Sequence, residues 1–169
     1  MEPASDTPAS DLLRADHRKM EKHLDSLLLA LKHLSAERVA DIRRDLAALQ
    51  TLANPHFDKE EVVYYPFVRP LCSEAMTLME EEHAAIRETE KCFGELLESF
   101  PALPAKRDLD ELYRLGIEYH DAIEVHIVDE EDQLLKRVDR LLLNSEQQWL
   151  AAAMLQTTRP GTQPPNKPN

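Results

Sequence analysis

The sequence predicts an all-α protein, an up-down-up-down four-helix bundle followed by a short C-terminal fifth helix. Only three of its 169 residues are glycine, and Leu, Ala, Glu, Asp and Arg, which favour helices and their polar surfaces, dominate the chain. Apolar residues recur at spacings of three and four over four long segments, which is the period of an amphipathic helix. Because short links join these segments, neighbouring helices are expected to run antiparallel.

The first predicted helix covers about residues 10–34, behind a polar tail at residues 1–9. Its apolar seam consists of Leu13, His17, Met20, Leu24, Leu27 and Leu31. A histidine therefore occupies a core position in this helix. His23 and His33 lie off the seam, and we expect both to face solvent.

The second predicted helix runs from about residue 35 to between residues 66 and 70. Its seam consists of Ile42, Leu46, Leu49, Leu52, His56, Glu60, Val63 and Phe67. The pair Asn54-Pro55 interrupts this helix, because proline lacks a backbone N–H and disfavours the α conformation of the residue before it. We expect either a kink just ahead of His56 or a new helix start capped by Asn54.

The third predicted helix begins near Ser73, after a tight connection at residues 71–72. Its seam consists of Met76, Met79, His83, Ile86, Glu90, Phe93 and Leu97. A histidine and, at Glu90, a carboxylate thus fall in core positions. The acidic run at residues 80–82 is interpreted as a solvated face, although it could, like Glu90, supply a further carboxylate ligand.

The fourth predicted helix covers about residues 108–143. Its seam consists of Leu112, Leu115, Tyr119, Ile123, His126, Glu130 and Leu134. His120 falls on another face of this helix, and we expect it to be exposed.

A last amphipathic segment, at about residues 145–156, carries Trp149. We expect it to pack over the end of the bundle, although a dimer contact or a partner-binding helix would use the same apolar face. The folded domain is accordingly predicted at residues 10–156. A Pro-rich, disordered tail is predicted at residues 157–169.

Two copies of one pattern carry the chemistry: His56 is followed four residues later by Glu60, and His126 by Glu130. Residues four apart on a helix point the same way, so each histidine and glutamate form a claw. Imidazole and carboxylate on one face suit a first-row transition ion, and two facing claws could hold two ions bridged by the glutamates.

Two further histidines, His17 and His83, stand in the seams of the other two helices. In the predicted bundle they lie at about the same depth from one end as the two claws, so that all six side chains fall in one layer. Burying so many ionisable groups without compensation would cost several kcal/mol each, roughly as much as the whole domain's stability. Bound metal would compensate them; the alternative is a metal-free His/Glu hydrogen-bond network.

In their order on four helices, His17, His56-x-x-x-Glu60, His83 and His126-x-x-x-Glu130 resemble the hemerythrin-like (HHE cation-binding) domain, over about residues 10–143. This ligand set favours iron over manganese or zinc. The resemblance implies two Fe ions with an oxo or hydroxo bridge. It also implies that the partners are small molecules such as O2, NO or peroxide, or that the centre handles iron.

One position departs from the dioxygen carrier of that family, which has a second histidine one turn after the lone histidine of helix 3. Here that position is Arg87. The chain is therefore closer to relatives with four histidines and two glutamates than to the carrier, in which one iron is coordinatively filled. Sensing, iron handling and a peroxidase or oxidase type of enzyme activity stay open.

Two other classes compete with this interpretation. A ferritin-like di-iron enzyme would use two ExxH motifs, of which the seam histidines offer only Glu80-x-x-His83. A non-metal interaction protein could dock through the helix of Trp149, but this leaves the repeated HxxxE unexplained. Glu61 and Glu131 are interpreted as supporting or surface groups beside the ligands.

The net charge of −12 argues against a nucleic-acid or anionic-membrane surface, because binding phosphates needs a basic face. Cys72 and Cys92 have no metal-site spacing and are expected to stay reduced. Residues 1–11 do not resemble a signal peptide, and no apolar run approaches 18 residues. We therefore expect a cytoplasmic monomer or homodimer.

Overall fold

The structure is a computed structural model that describes residues 7–157, and within that range it contains helices and no strands. The all-α prediction is therefore confirmed. The predicted tails fall almost entirely on residues 1–6 and 158–169, which lie outside the described residues.

Six α-helices follow one another in the described range: α1 (Ala9–Lys32), α2 (Val39–Lys59), α3 (Tyr65–Glu98), α4 (Lys106–Asp129), α5 (Lys136–Leu141) and α6 (Asn144–Thr157). A 3₁₀ turn at Ala36–Arg38 precedes α2. Two π-helical turns, Glu60–Tyr64 and Glu130–Leu135, join α2 to α3 and α4 to α5. Each π-turn begins at the glutamate of an HxxxE pattern.

The prolines of the second segment interrupt the backbone less than the sequence suggests. Asn54 and Pro55 both lie inside α2, so the predicted new helix start is wrong. A proline removes a single N–H donor, and adjustment of the neighbouring turns can absorb that loss. The predicted connection at residues 71–72 is reduced to one non-helical residue, Cys72 (φ −142°, ψ 42°), at a kink inside α3. Helix α3 thus runs through residues 66–70, where the second predicted helix was expected to end.

The buried apolar side chains form two clusters. One lies along α1 to α4 and includes Met20, Phe57, Ile86 and Ile127. The other gathers the N-terminal turn of α1, both π-turns, the first part of α3, and α6; it includes Leu13, Val63, Met79 and Leu134. The histidines and glutamates of the predicted layer separate the two clusters along each of the four long segments. On the first helix, for example, His17 lies between Leu13 of one cluster and Met20 of the other. The polar layer therefore separates two apolar clusters.

Contacts between the helices enclose both clusters. Helix α1 contacts α2 and α4, and α3 contacts α4 and α2. Helix α6 contacts α1, α2 and the first π-turn, buries Leu150 and Met154, and stacks Trp149 on Phe67 with ring centroids 5.2 Å apart. Among the described residues, no helix combines the length and apolar character needed to cross a membrane.

Candidate metal centre

All six side chains predicted to form one layer are completely buried, with a relative exposure of 0%: His17, His56, Glu60, His83, His126 and Glu130. They come from α1, α2, α3, α4 and the two π-turns. The structure therefore brings together the four seam histidines and the two glutamates of the HxxxE patterns.

The six residues form two overlapping groups. His17, His56, Glu60 and Glu130 place one donor atom each within 4.8 Å of one another, and Glu60, His83 and His126 do the same. Glu60 belongs to both groups. Its Oε1 lies 2.8 Å from His56 Nε2, and its Oε2 lies 3.1 Å from His83 Nε2. One carboxylate thus spans the two groups, with one oxygen directed to each.

Each histidine turns Nε2 inward and Nδ1 toward an outer carboxylate. The Nδ1 atoms of His17, His83 and His126 lie 3.0, 2.6 and 2.9 Å from Glu131, Glu61 and Glu82, and His56 Nδ1 lies 3.8 Å from Asp16. An imidazole that donates its Nδ1–H to a carboxylate keeps a lone pair on Nε2. This is the arrangement by which proteins orient histidines that ligate metals.

The inward atoms fit a cation better than they fit one another. The Nε2 atoms of His17 and His56 are 3.2 Å apart, and those of His83 and His126 are 3.1 Å apart. Either one Nε2 of each pair carries a proton and donates to the other, or both keep their lone pairs and a cation must lie between them. Both oxygens of Glu60 and Oε2 of Glu130 are buried without a hydrogen-bond partner. Orphaned buried carboxylate oxygens are costly, and a bound cation would satisfy them.

Basic side chains hold most of the outer carboxylates in place. Arg18 lies 3.0 Å from Glu131, Arg87 2.7 Å from Glu61, and Lys59 2.6 Å from Asp16. Each of these carboxylates is thus held between a basic side chain on its outer side and a histidine of the centre on its inner side. The interpretation of Glu61 and Glu131 as supporting groups agrees with these contacts.

Two supporting carboxylates were not identified from the sequence. Glu82 was assigned to a solvated face, but its side chain is only 15% exposed and contacts His126. Asp16 was not singled out, although it directly precedes a seam histidine. Asp16 lies near His56 on a neighbouring helix, and adjacent residues of a helix do not face each other, so its position beside His17 gives no signal of this contact. Glu90 accepts a hydrogen bond from Gln50 at 3.1 Å and does not belong to either group.

Tyr65 is a further neighbour of the centre that the sequence pattern did not identify. Its hydroxyl lies 3.3 Å from His83 Nε2 and donates to Glu130 Oε1 at 3.4 Å. Burial, reinforced by the charges of Glu130 and Glu60, raises the pKa of Tyr65 well above its ordinary value, so the phenol keeps its proton. The backbone N–H of Tyr65 bonds to the carbonyl of Glu60, five residues earlier, which is the π-helical spacing. Only that wider turn places Tyr65 on the face of Glu60.

Arg87 does not reach the centre. Its guanidinium donates to Glu61 at 2.7 Å and lies 5.5 Å from the centroid of the Phe57 ring, and its side chain is 47% exposed. A guanidinium has no lone pair for a metal in any case. Its place in this structure is as the partner of the carboxylate that orients His83.

The prediction that His120 is exposed is wrong. His120 is 5% exposed, because α4 packs against α1 on one side and α3 on the other and therefore buries more than one seam. His33 is exposed and His23 is 40% exposed at its side chain, as expected for residues off the seam.

Burial and opposite charges compete at the centre. Burial raises the pKa of Glu60, but His56 and His83 outweigh it and hold that pKa well below the ordinary value. Burial lowers the pKa of His56, but nearby carboxylates, Glu60 first among them, outweigh it and raise the pKa to about 10. Without a metal, this layer is therefore held together by charged His–Glu pairs.

Fold and site together define a helical protein with a buried His/Glu cluster that could hold metal cations. A family model described as the hemerythrin HHE cation binding domain matches residues 9–138. The chain therefore belongs to the hemerythrin HHE cation-binding family. Comparison with curated proteins and with solved structures gave no match.

Proposed function

We propose that this protein holds two iron ions in an up-down-up-down helical bundle and uses them to bind or sense O2, NO or peroxide, or to handle iron. The observation that supports this most directly is the position of Glu60, whose two oxygens face histidines of different groups at 2.8 and 3.1 Å. A carboxylate in that position is suited to bridge two ions a few ångströms apart. Membership of a cation-binding family points the same way.

The six buried residues would divide between the two ions. His17 and His56 would hold one ion and His83 and His126 the other, with Glu60 serving both, while Glu130 lies with His17, His56 and Glu60. Two imidazoles with carboxylates suit iron, while manganese and zinc are weaker candidates. Such a metal pair would supply redox chemistry and open positions for a small ligand.

The chain's own residues would orient and shield that centre. The outer carboxylates fix the direction of three of the imidazoles, and the two apolar clusters border the layer on both sides. Tyr65 keeps a protonated hydroxyl beside His83 and Glu130, where it can donate a hydrogen bond to a small molecule at the second group.

The competing classes find less support. A ferritin-like centre would need Glu80 as a ligand in Glu80-x-x-His83, but Glu80 is 47% exposed and is paired with Arg69. A metal-free interaction protein would have to keep Glu60 completely buried on charged His56 and His83 alone, and would leave the repeated HxxxE pattern without a role. Enzyme activity of a peroxidase or oxidase type remains compatible with the proposed centre.

Reversible O2 carriage is not expected. Arg87 stands where the carrier has its fifth histidine, so that each ion would be held by two imidazoles and both would keep open positions. Reduced, iron-loaded protein exposed to air should therefore be oxidised to a stable ferric form. The measurement is the optical spectrum before air, after air and after vacuum. Repeated recovery of the colourless ferrous form without added reductant would overturn this expectation.

Two variants sharpen that experiment. Arg87→His should shift the behaviour toward reversible binding by restoring an imidazole one turn from His83. Arg69→His is the matched control, because Arg69 pairs with Glu80 at the surface, away from both groups. Equal spectra for the two variants would show that position 87 does not control the second ion.

Metal binding should strengthen as the pH rises. The folded pKa of His56, about 10, lies above its ordinary value of 6.5. Its charged form therefore stabilises the metal-free fold fully below about pH 6.5, and that stability is lost as the pH rises through about 10.

Metal requires the neutral imidazole and must displace the proton. Calorimetry in buffers of different ionisation enthalpy should show proton release near neutral pH, with affinity increasing from about pH 6 to about pH 9. An affinity independent of pH would contradict this.

A further inference from the structure

The two groups of donor atoms at the candidate metal centre are unequal. The first group has four members and the second has three: His17, His56, Glu60 and Glu130 in the first, and Glu60, His83 and His126 in the second. Glu60 joins the groups, with one oxygen 2.8 Å from His56 Nε2 and the other 3.1 Å from His83 Nε2. In a symmetric centre Glu130 would join them in the same way. Instead, Glu130 belongs to the first group alone.

The contacts of Glu130 show what occupies its second oxygen. Its Oε2 lies 3.0 Å from Nε2 of His17, in the first group. Its Oε1 accepts a hydrogen bond from the hydroxyl of Tyr65 at 3.4 Å. The same hydroxyl lies 3.3 Å from Nε2 of His83, in the second group. The phenol therefore stands beside the second group and engages the oxygen with which Glu130 would otherwise bridge.

The asymmetry is present in the sequences of the two repeated segments. Tyr65 follows Glu60 by five residues, and the residue that follows Glu130 by five is Leu135. Both side chains are buried, and both stand at the end of a π-turn that begins with the glutamate. Leucine has no hydroxyl to donate. Accordingly, both oxygens of Glu60 face histidines, whereas one oxygen of Glu130 is paired with a phenol.

Burial makes this hydrogen bond hard to replace. Tyr65 is 1% exposed and Glu130 is 0% exposed. A hydroxyl that donates to a carboxylate makes a stronger hydrogen bond than one between neutral groups. If Glu130 turned Oε1 toward the second group, the buried hydroxyl would lose its acceptor, which is costly. The hydrogen bond thus opposes a second carboxylate bridge.

We propose that Tyr65 is a positioning residue that keeps Glu130 on the first ion and makes the second ion the more weakly held of the two. This inference rests on the proposed two-ion centre. The first ion has four protein donors and the second has three, so the second ion also has more room for a small ligand. The two ions therefore bind in separate steps, and the second ion is the exchangeable one.

Stepwise titration of the metal-free full chain with Co²⁺, followed by optical absorption, tests this order. Co²⁺ is a divalent first-row ion that accepts imidazole and carboxylate donors. Wild-type protein should bind two ions in two steps, with dissociation constants that differ on the order of 10- to 100-fold, as is typical for the effect of one supporting group. His126→Ala should remove the weaker step and leave the tighter one, because His126 belongs to the second group alone.

Tyr65→Phe is the decisive variant, because it removes the hydroxyl and keeps the buried ring. With Oε1 of Glu130 released toward the second ion, the larger dissociation constant should fall on the order of 10-fold, and the absorption band of that ion should shift. A merely structural role for the hydroxyl would weaken binding instead. Tyr64→Phe is the matched control, because Tyr64 is a buried neighbour whose hydroxyl pairs with Ser10 Oγ at 3.2 Å. It should bind Co²⁺ as the wild type does.

The number of ions bound separates the two possible failures. If two ions bind with equal affinity in the wild type, the proposed role of Tyr65 is wrong and the two-ion centre stands. The same holds if Tyr65→Phe matches Tyr64→Phe or binds the second ion more weakly. If the wild type binds one Co²⁺ or none, the two-ion centre is contradicted, and this inference with it.

Discussion

Replacing Glu60 with alanine is expected to remove both ions of the buried centre, leaving much less than one ion per chain. Glu60 is the only residue shared by the two groups of donor atoms, so its loss takes a carboxylate from both at once. It also leaves the Nε2 atoms of His56 and His83 facing a cavity. Elemental analysis of anaerobically iron-loaded protein is the measurement. Glu130→Ala should also lose metal, because Glu130 Oε2 lies 3.0 Å from His17 Nε2.

Glu81→Ala is the matched control for these variants, because Glu81 is an exposed glutamate on the same helix as His83. His23→Ala and His33→Ala serve the same purpose for the histidines. All three should keep the metal content of the wild type. Equal losses in Glu60→Ala and Glu81→Ala would show that the buried face has been assigned wrongly.

Removing the metal should lower the melting temperature by roughly 6–16 °C. Ligand that binds only the folded chain stabilises it by about 3–4 kcal/mol when free metal is 100 to 1,000 times its dissociation constant. For a domain of this size each kcal/mol corresponds to roughly 2–4 °C. The measurement is thermal unfolding, followed by circular dichroism, of the iron-loaded protein and of the same sample after chelation and dialysis.

The Glu60→Ala variant provides the control for that comparison. It should melt at the same temperature with and without metal, since it lacks the shared carboxylate. If the metal-free wild type melts at the same temperature as the iron-loaded protein, the charged His–Glu pairs alone compensate the burial of the six side chains. The metal-free network would then be the correct account of the six buried residues.

Helical periodicity was sufficient to predict the all-α fold class and the burial of the six histidines and glutamates. Apolar residues at spacings of three and four face the core, so an ionisable residue among them is expected to be buried, although Glu90 is only half-buried. His17 and His83 could be identified on that ground alone. The predicted bundle topology placed these two histidines in one layer with the two HxxxE pairs. In the structure all six side chains lie together.

The remaining contacts depend on features that an ideal α-helix does not contain. Tyr65 reaches the centre only because the helix widens to a π-turn at Glu60, and sequence periodicity at 3.6 residues cannot anticipate a five-residue spacing. His120 is buried because α4 has neighbours on two sides, which a single-seam pattern does not represent. The side chain of Glu82 is largely buried because its carboxylate pairs with Nδ1 of His126.

The number of iron ions in the wild-type protein tests the central claim most directly. The chain is loaded with ferrous iron under anaerobic conditions, freed of excess metal and measured for iron and protein in the same sample. The account predicts two ions per chain that are lost in Glu60→Ala. A wild-type protein that retains one ion or none at the buried residues would contradict it.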